Sequence, residues 1–279
     1  MVSGDRTAGD PGIRRIALIV HYDGTSFNGW QVQPEGRCVQ IELEKACSSI
    51  CSHPVKSIVA GRTDAGVHAL GQVVHFDTTS TIRLRRLCIG LNGILPSDVS
   101  VQNAFDVNPD FNARFDAVDR EYVYLIYASP LRSPFYKTRA LWITRELDIE
   151  YLRTASSFLI GEHDFSSFCK TSSAVDVNTV RTIHDIRWER RGSLIVFTIR
   201  GNAFLHNMVR SIVGTLLDMH KRELPPSFMS EILEKKDRRE SGDTAAARGL
   251  YLSRVRYSPD LETFPSAFSY TEFTPGYFI

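Results

Sequence analysis

The sequence predicts an α+β fold: a strand–helix–strand–strand–helix–strand string that runs twice and joins into one mainly antiparallel sheet with helices on one face. Two observations carry that expectation. Short stretches with apolar residues at every second position alternate with stretches whose apolar residues recur every three or four. The order of these stretches in residues 14–115 returns in residues 116–257, although no residue-level repeat accompanies it. The expected divisions are therefore a disordered tail over 1–13, two halves over 14–115 and 116–257, and an aromatic C-terminal tail over 258–279.

In the first half, Ile16, Leu18, Val20 and Tyr22 alternate as a strand does. Val39, Leu43, Ala46, Cys47, Ile50 and Cys51 recur at helical spacing, which puts two cysteines on a buried stripe. Ile58 to Ala60 reads as a short strand, and Gln72 to Phe76 as the next, after a glycine-bounded loop. Leu84, Leu87, Cys88 and Leu91 mark a helix closed by Asn92-Gly93, and Val99, Val101 and Phe105 a fourth strand. The order βαββαβ is the split, ferredoxin-like arrangement. In the second half, Tyr122 to Tyr127 is a strand rich in aromatic and β-branched residues. Leu152, Ala155 and Leu159 lie on a helix ending near Gly161. Strands Thr182–Arg190 and Leu194–Arg200 follow, split by Arg191-Gly192. Leu205, Met208, Val209, Ile212, Leu216 and Met219 form a strongly amphipathic helix, Pro226–Lys235 a helix-like run, and Leu250–Tyr257 the last strand. With the helices on one face, the open face of the sheet or the cleft between the halves is left for a ligand.

A hydrophobic content of 43% and a charged content of 23% are those of a soluble globular protein. No apolar run approaches the ~18 residues of a membrane span, and no signal-peptide pattern opens the chain, so a cytoplasmic protein is expected. Cys38, Cys47, Cys51, Cys88 and Cys169 are odd in number and form no CxxC pair, which fits free thiols in a reducing compartment. The net charge is +1, and residues 1–115 hold as many acids as bases. Contact with RNA therefore has to rest on local patches. The candidates are Arg83, Arg85 and Arg86, and Lys235, Lys236, Arg238 and Arg239, each of which is equally a solvated helix face.

No nucleotide-cradling glycine loop and no GxSxG elbow is present. Asp64, His68 and His75 offer too thin a ligand set for a metal site, and none is expected. The loop Gly61-Arg62-Thr63-Asp64-Ala65-Gly66-Val67-His68 is richer. It sets an acid two positions after an arginine, between two glycines that let the backbone turn without steric penalty. Small neighbours leave the carboxylate approachable, and a guanidinium beside it suits a nucleophile or electrostatic stabiliser. An ordinary turn, with Asp64 bonding local N–H groups, would use the same residues. Tyr122 and Tyr124 share one face of a strand, as core packing or stacking on a nucleobase requires. Arg210 follows the buried-face Val209; if enclosed it needs an anionic partner, and exposure is the alternative.

The loop around Asp64, continued by Gly71-Gln72-Val73-Val74-His75-Phe76, resembles the signature of the TruA-type tRNA pseudouridine synthases. Further runs resemble the same family in order: Tyr22-Asp23-Gly24-Thr25, Gly29-Trp30-Gln31, Asn112-Ala113-Arg114-Phe115, Arg120 with Tyr122 and Tyr124, Gly161 to Phe165, Asn202-Ala203-Phe204 with His206, Met208-Val209-Arg210, and Gly249-Leu250-Tyr251-Leu252. The match runs from Ile16 to Tyr257.

The resemblance implies two ferredoxin-like halves, no metal or organic cofactor, and a homodimer holding tRNA across both subunits. Its implied reaction is isomerisation of uridine in the anticodon stem-loop, at tRNA positions 38 to 40. Asp64 would attack C1′ or stabilise the sugar intermediate, and Arg210 would pair with Asp64 and aim it. Arg62 would hold the displaced nucleotide's place or its phosphate. Tyr122 would stack on the flipped uracil and relay the C5 proton, with Leu250 on the pocket's other side. The chain departs from the pattern at Asn112 and in its tail, where Phe264, Phe268, Tyr270, Phe273, Tyr277 and Phe278 make it unusually aromatic. Three other readings remain: a synthase of the same chemistry with other target uridines, a non-catalytic RNA-binding module, and a hydrolase using Asp64 and His68.

Overall fold

A computed structural model of the chain describes residues 12–33, 35–169 and 178–268. The first half contains β1 (Arg14–Tyr22), α1 (Val39–Cys51), β2 (Ser57–Val59), β3 (His68–Thr78), α2 (Leu84–Ile94) and β4 (Val99–Val107). The second contains β5 (Ala117–Ala128), β6 (Leu141–Ile143), α3 (Ile149–Ser157), β7 (Gly161–Asp164), β8 (Val180–Arg191), β9 (Leu194–Gly201), α4 (Met208–Lys221), α5 (Phe228–Lys235) and β10 (Leu250–Tyr257). One sheet runs in the order β4-β1-β3-β10-β5-β9-β8-β7, with β2 also on β3 and β6 on β5. Leaving out the short β6 and β7, each half arranges its strands fourth, first, third, second. The repeat is one of topology, which is why no residue-level repeat reveals it.

Nearly all pairings are antiparallel, as the alternating strands predict, but the seam between the halves is parallel. There β3 meets β10, with His68 opposite Tyr251 and Ala69 opposite Leu252. Gly71 lets the two backbones come this close: a Cβ on it would lie 2.2 Å from the Ser253 carbonyl oxygen.

Alternation sorts the strand residues into two cores. Tyr122, Tyr124 and Ile126 on β5 and Ile195, Phe197 and Ile199 on β9 join the main core, as do Val209, Ile212 and Leu216 of α4. Val123, Leu125, Leu194 and Val196 point the other way, into a smaller cluster with Leu70, Ala140 and Tyr251, with Tyr127 and Tyr136 packed on it. No helix contributes to that cluster, so the helices share one face. The opposite face is nevertheless largely covered. These strands are apolar on both sides, and residues 136–140 cover them in the second half. In the first half Leu261 is buried against the same side, near Ile19, Val73 and Phe105. The outer edge of β4 is occupied too: Ala267 N donates to Ala104 O at 2.9 Å and Asp106 N to Pro265 O at 3.0 Å, removing an exposed strand edge. Of the two expected ligand surfaces, the open face is thus largely covered, with a cavity left beside His21, Leu70 and Tyr251, and the cleft between the halves stays open.

Several boundaries differ from the sequence reading for physical reasons. The main helix of the second half starts at Met208 rather than Leu205, because Asn207 takes a left-handed φ of 64°. The third strand starts at His68, four residues early, because a register shift between Val20 and Tyr22 breaks the alternation there. β6 and β7 were not expected; at three and four residues they are too short for a period to show. α3 is capped as its sequence allows, the Asp148 carboxylate accepting from the N–H groups of Glu150 and Tyr151. All five cysteines are buried free thiols. No helix among the described residues is long and apolar enough to cross a membrane. Of the expected tails, residues 1–11 and Tyr270, Phe273, Tyr277 and Phe278 lie outside the described residues, while Phe264 packs against the main core.

Candidate active site

The loop from Ala60 to Val67 joins β2 to β3 on the helix side of the seam. Neighbouring first-half segments fasten it. Trp30 N donates to Thr63 O at 3.0 Å and Gly66 N to Phe27 O at 3.2 Å. The Tyr22 and Thr63 hydroxyls are 2.8 Å apart, and Gln72 Nε2 donates to Gly61 O at 2.7 Å. Of the two glycines expected to let the loop turn, only Gly66 has a left-handed φ, +77°. Gly61 needs no such freedom; it faces Tyr122, whose hydroxyl would lie 3.9 Å from a Cβ placed there.

The Asp64 carboxylate accepts no local backbone N–H among the described residues, so it is not a turn-capping group. Its partners come from the far side of the cleft: Arg210 Nη1 at 3.4 Å from Oδ2 and His206 Nε2 at 3.2 Å from Oδ1. Arg210 sits in the first turn of α4 and is enclosed, as its place beside Val209 allowed. Its Nε donates to Ala245 O at 2.8 Å and its Nη1 to Asn207 Oδ1 at 3.0 Å. The guanidinium therefore arrives already oriented, by bonds that do not involve the acid.

Tyr122 lies beside this pair with its ring edge-on to Phe204, the centroids 5.0 Å apart. Burial pushes its phenol well above the ordinary range, and nearby Tyr22 and Asp64 push the same way. Tyr124 is unavailable as a stacking platform: it is wholly buried and its hydroxyl donates to Ala246 O at 2.7 Å. Leu250 faces Tyr124 across the β5–β10 pair, with Leu252 facing Tyr122, so Leu250 stands one position along from Tyr122 on the same face. Arg62 is exposed, and its side chain has no hydrogen-bond or ion-pair partner among the described residues.

Arg120 acts as a buried clasp under the loop. Its guanidinium donates to the carbonyls of Ala60, Arg114, Ala117 and Asn202, joining the start of the loop to both halves. No carboxylate is among those four acceptors, and burial lowers its pKa.

His68 is engaged away from Asp64. Its Nδ1 is 3.1 Å from Gly24 N and 3.2 Å from Asp23 Oδ1, and its Nε2 reaches the carbonyls of Thr138 and Arg248 at 3.1 and 3.2 Å. Its ring stacks on Tyr251 at 4.6 Å. The hydrogen bond to His68 holds the Asp23 carboxyl far below the usual carboxylate range, against the opposing effect of burial. With both ring nitrogens occupied there, the Asp64–His68 dyad of the hydrolase reading is not assembled. His75 is separate again, its Nδ1 accepting from Ala113 N at 3.0 Å. No cluster of three His, Cys, Asp or Glu side chains able to hold a metal occurs among the described residues.

The two basic patches diverge. Lys235 pairs with Glu240, Lys236 with Asp164 and Arg239 with Asp237, while Arg238 is spent on Ser241, Gly242 and Thr244. Arg83 and Arg86 are exposed without an ion pair among the described residues, and Arg85 lies over the Phe268 ring at 5.9 Å. Lys235, Lys236 and Arg239 of the second patch are thus paired although exposed, whereas Arg83 and Arg86 have no ion-pair partner among the described residues.

The sequence reading did not single out His206, Asn207 or Asp23 as site residues. For His206 and Asn207 a signal existed: they precede Arg210 by four and three positions, within one helical turn of the guanidinium.

A family model for tRNA pseudouridine synthase matches residues 18–116 and 155–258. A protein of Janthinobacterium sp. (strain Marseille) named tRNA pseudouridine synthase A is 44% identical over 252 residues, spanning 88% of this chain and 93% of that one. One of the same name from Pseudoalteromonas atlantica is 46% identical over 250 residues, spanning 90% and 94%. Among solved structures, a chain of a Cbf5-Nop10-Gar1 complex overlaps 86% of this chain and 57% of its own at 13% identity and a TM-score of 0.36, too loose to argue from. From the family match and the length and identity of the relatives, the chain belongs to the tRNA pseudouridine synthase family, a family of isomerases.

Proposed function

We propose that this chain converts uridine to pseudouridine in the anticodon stem-loop of tRNA, at positions 38 to 40, with Asp64 as nucleophile, no metal or organic cofactor, and a cytoplasmic homodimer as the working form. One observation carries the reading: a loop acid with no local backbone partner meets, across the cleft between the halves, a guanidinium oriented by other bonds. The reaction breaks the N1–C1′ bond, turns the uracil, and joins C5 to C1′ with loss of the C5 proton. A carboxylate that attacks C1′, or stabilises positive charge developing there, does what its counterpart does in glycosidases.

The other residues divide the remaining work. Arg210 aims the carboxylate and keeps an opposite charge beside it. Tyr122 stacks on the flipped uracil once Phe204 gives way, and Leu250 closes the other side. Because burial keeps the Tyr122 phenol neutral, its hydroxyl can only pass on the C5 proton, not take it as a phenolate. Arg62, exposed and unpaired, fills the gap left by the flipped nucleotide or binds its phosphate. Flipping costs a few kcal/mol, which such contacts offset. Arg83 and Arg86 supply an open basic surface for phosphates, and binding should weaken as salt rises.

The test is release of tritium to water from tRNA tritiated at uridine C5, with the modified positions then mapped. The wild-type protein is expected to release it, and Asp64→Asn to bind the tRNA and release none. Turnover by Asp64→Asn would sink the nucleophile assignment, and release from uridines elsewhere would sink the anticodon assignment. Binding without any release by the wild type would favour the RNA-binding module.

A further inference from the structure

The Asp64 carboxylate is held on both sides, and the two holds are built differently. Arg210 is anchored by Ala245 O and Asn207 Oδ1, and only 17% of its side chain is exposed. His206 lies on the short turn between Leu205 and the start of α4, with 40% of its side chain in solvent. Its Nε2 stands 3.2 Å from Oδ1. A nucleophile needs its target atom about 3–3.5 Å away along an open line. With Arg210 on Oδ2, the imidazole stands on the other carboxylate oxygen, Oδ1, at the distance a ribose C1′ would need from it.

We propose that His206 is the displaceable partner of Asp64: its ring covers Oδ1 in the free protein and swings into solvent when the ribose enters, while Arg210 stays. This inference rests on the reading of Asp64 as nucleophile. Two features decide that His206 is the partner that leaves, while the bonds of Arg210 to Ala245 O and Asn207 Oδ1 keep it in place. His206 has open solvent to move into. The left-handed Asn207 separates the ring from the rigid helix, so the ring can turn without shifting Arg210.

Covering Oδ1 draws on binding energy that the substrate has to return, so removing the cover should lower KM. His206→Ala is expected to lower the KM for tRNA by about threefold, the scale of one partly exposed hydrogen bond. The same variant should react faster at Asp64 with a water-soluble carbodiimide, by about threefold in peptide mass spectrometry, because the oxygen is bared. His206→Gln, whose amide can still reach Oδ1, should label at the wild-type rate; it also serves as the folded control if the alanine variant is unstable. Equal labelling of wild type, His206→Ala and His206→Gln, with an unchanged or raised KM, would overturn the cover. Asp64→Asn separates the two failures. If it keeps turning over, the nucleophile reading falls and the cover with it; if it is inactive while labelling is equal, the cover alone falls.

Discussion

The two halves share a strand order and differ at one connection. Between β8 and β9 the chain turns on Gly192 and Ser193 alone, whereas at the equivalent place between β2 and β3 it runs from Ala60 to Val67. A two-residue hairpin turn is closed by its own strands, and here the end of β5 adds one bond, Ala128 N donating to Ser193 O at 2.8 Å. The longer loop has to find partners for its backbone and side chains, and it finds Phe27, Trp30 and Tyr22 on one side and Arg210 and His206 on the other. The second half contributes what its own hairpin lacks through α4, whose first turn brings the guanidinium. Neither half holds the acid and the arginine together. Duplicated topology thus supplies a rigid frame, and the candidate chemistry sits where the repeat is broken.

The largest break in that comparison comes from the second half's contribution. Arg210→Ala removes the charge across the cleft and leaves Ala245 O and Asn207 Oδ1 without their donor. The expected loss in kcat is about 10²- to 10³-fold, the scale seen when a preorganised electrostatic partner is deleted. Arg210→Lys should recover little, since an ammonium cannot make the same fork of bonds. A rate within threefold of wild type in single-turnover tritium release would show that the first half's loop works alone.

The halves also differ in what acid does to them. In the first half, β1 buries His21 and β3 buries His75, and burial brings both imidazoles down to about 4. The sign follows from which state takes the proton. The unfolded chain binds it below about 6.5 and the folded chain only near 4, so stability is complete above pH 6.5 and falls as the pH drops towards 4. For His75 the loss between pH 8 and pH 5 is on the order of 2 kcal/mol. Asp23 does not contribute between pH 8 and pH 5, because its carboxyl titrates below that range both in the unfolded chain, at about 3.9, and, lower still, in the folded one. In the second half His220 is lowered too, again chiefly by burial, but it is more exposed than His75. Urea unfolding at the two pH values should show the drop, and His75→Gln should flatten it; the same slope in that variant would remove His75 as its source.

Tyr122→Phe tests how much the first strand of the second half does beyond packing. The ring keeps its edge contact with Phe204, and only the hydroxyl facing Gly61 is lost. About a tenfold slower release of the C5 tritium is expected, with tRNA affinity unchanged. A wild-type rate would leave Tyr122 as a stacking surface only.

How far the sequence could be read depended on whether a feature was local. The alternation in β1 and the apolar stripe of α4 are set by residues a few positions apart, and both elements form there, α4 without its expected first residues. For Arg210 the place beside Val209 allowed either enclosure with an anionic partner or exposure, and only the resemblance pointed to Asp64. What could not be read depends on contacts far apart in the chain. The parallel seam joins residues near His68 to residues near Tyr251, and nothing local to either marks it. The meeting of His206 with Asp64 spans a similar distance, although its spacing from Arg210 could have drawn attention to it. Tyr124 shows the converse. Its side of the strand was read correctly, but only the surrounding packing tells a core ring from a stacking surface. The motif around Asp64 was legible as a resemblance, while the composition of the loop alone fitted a simple turn equally well.

The smallest expected effect sharpens the opening contrast most directly, because the same substitution can be made in both connections. Gly66 has φ +77° in the long loop and Gly192 has φ +60° in the hairpin, so alanine at either position is strained by roughly 1 kcal/mol. At Gly192 an added Cβ meets nothing within 4 Å, whereas at Gly66 it comes to 3.3 Å from Ala247 Cβ. Gly192→Ala should therefore lower Tm by about 2–4 °C and leave the rate alone, the cost of backbone strain and no more. Gly66→Ala should lower Tm by a similar amount and also reduce kcat severalfold. To relieve its strain the loop must turn next to Asp64, and an acid moved by a few tenths of an ångström no longer meets Arg210 as before. Equal loss of activity in the two variants would mean that the long loop is only a connection; loss confined to Gly66→Ala would tie the chemistry to the place where the halves differ.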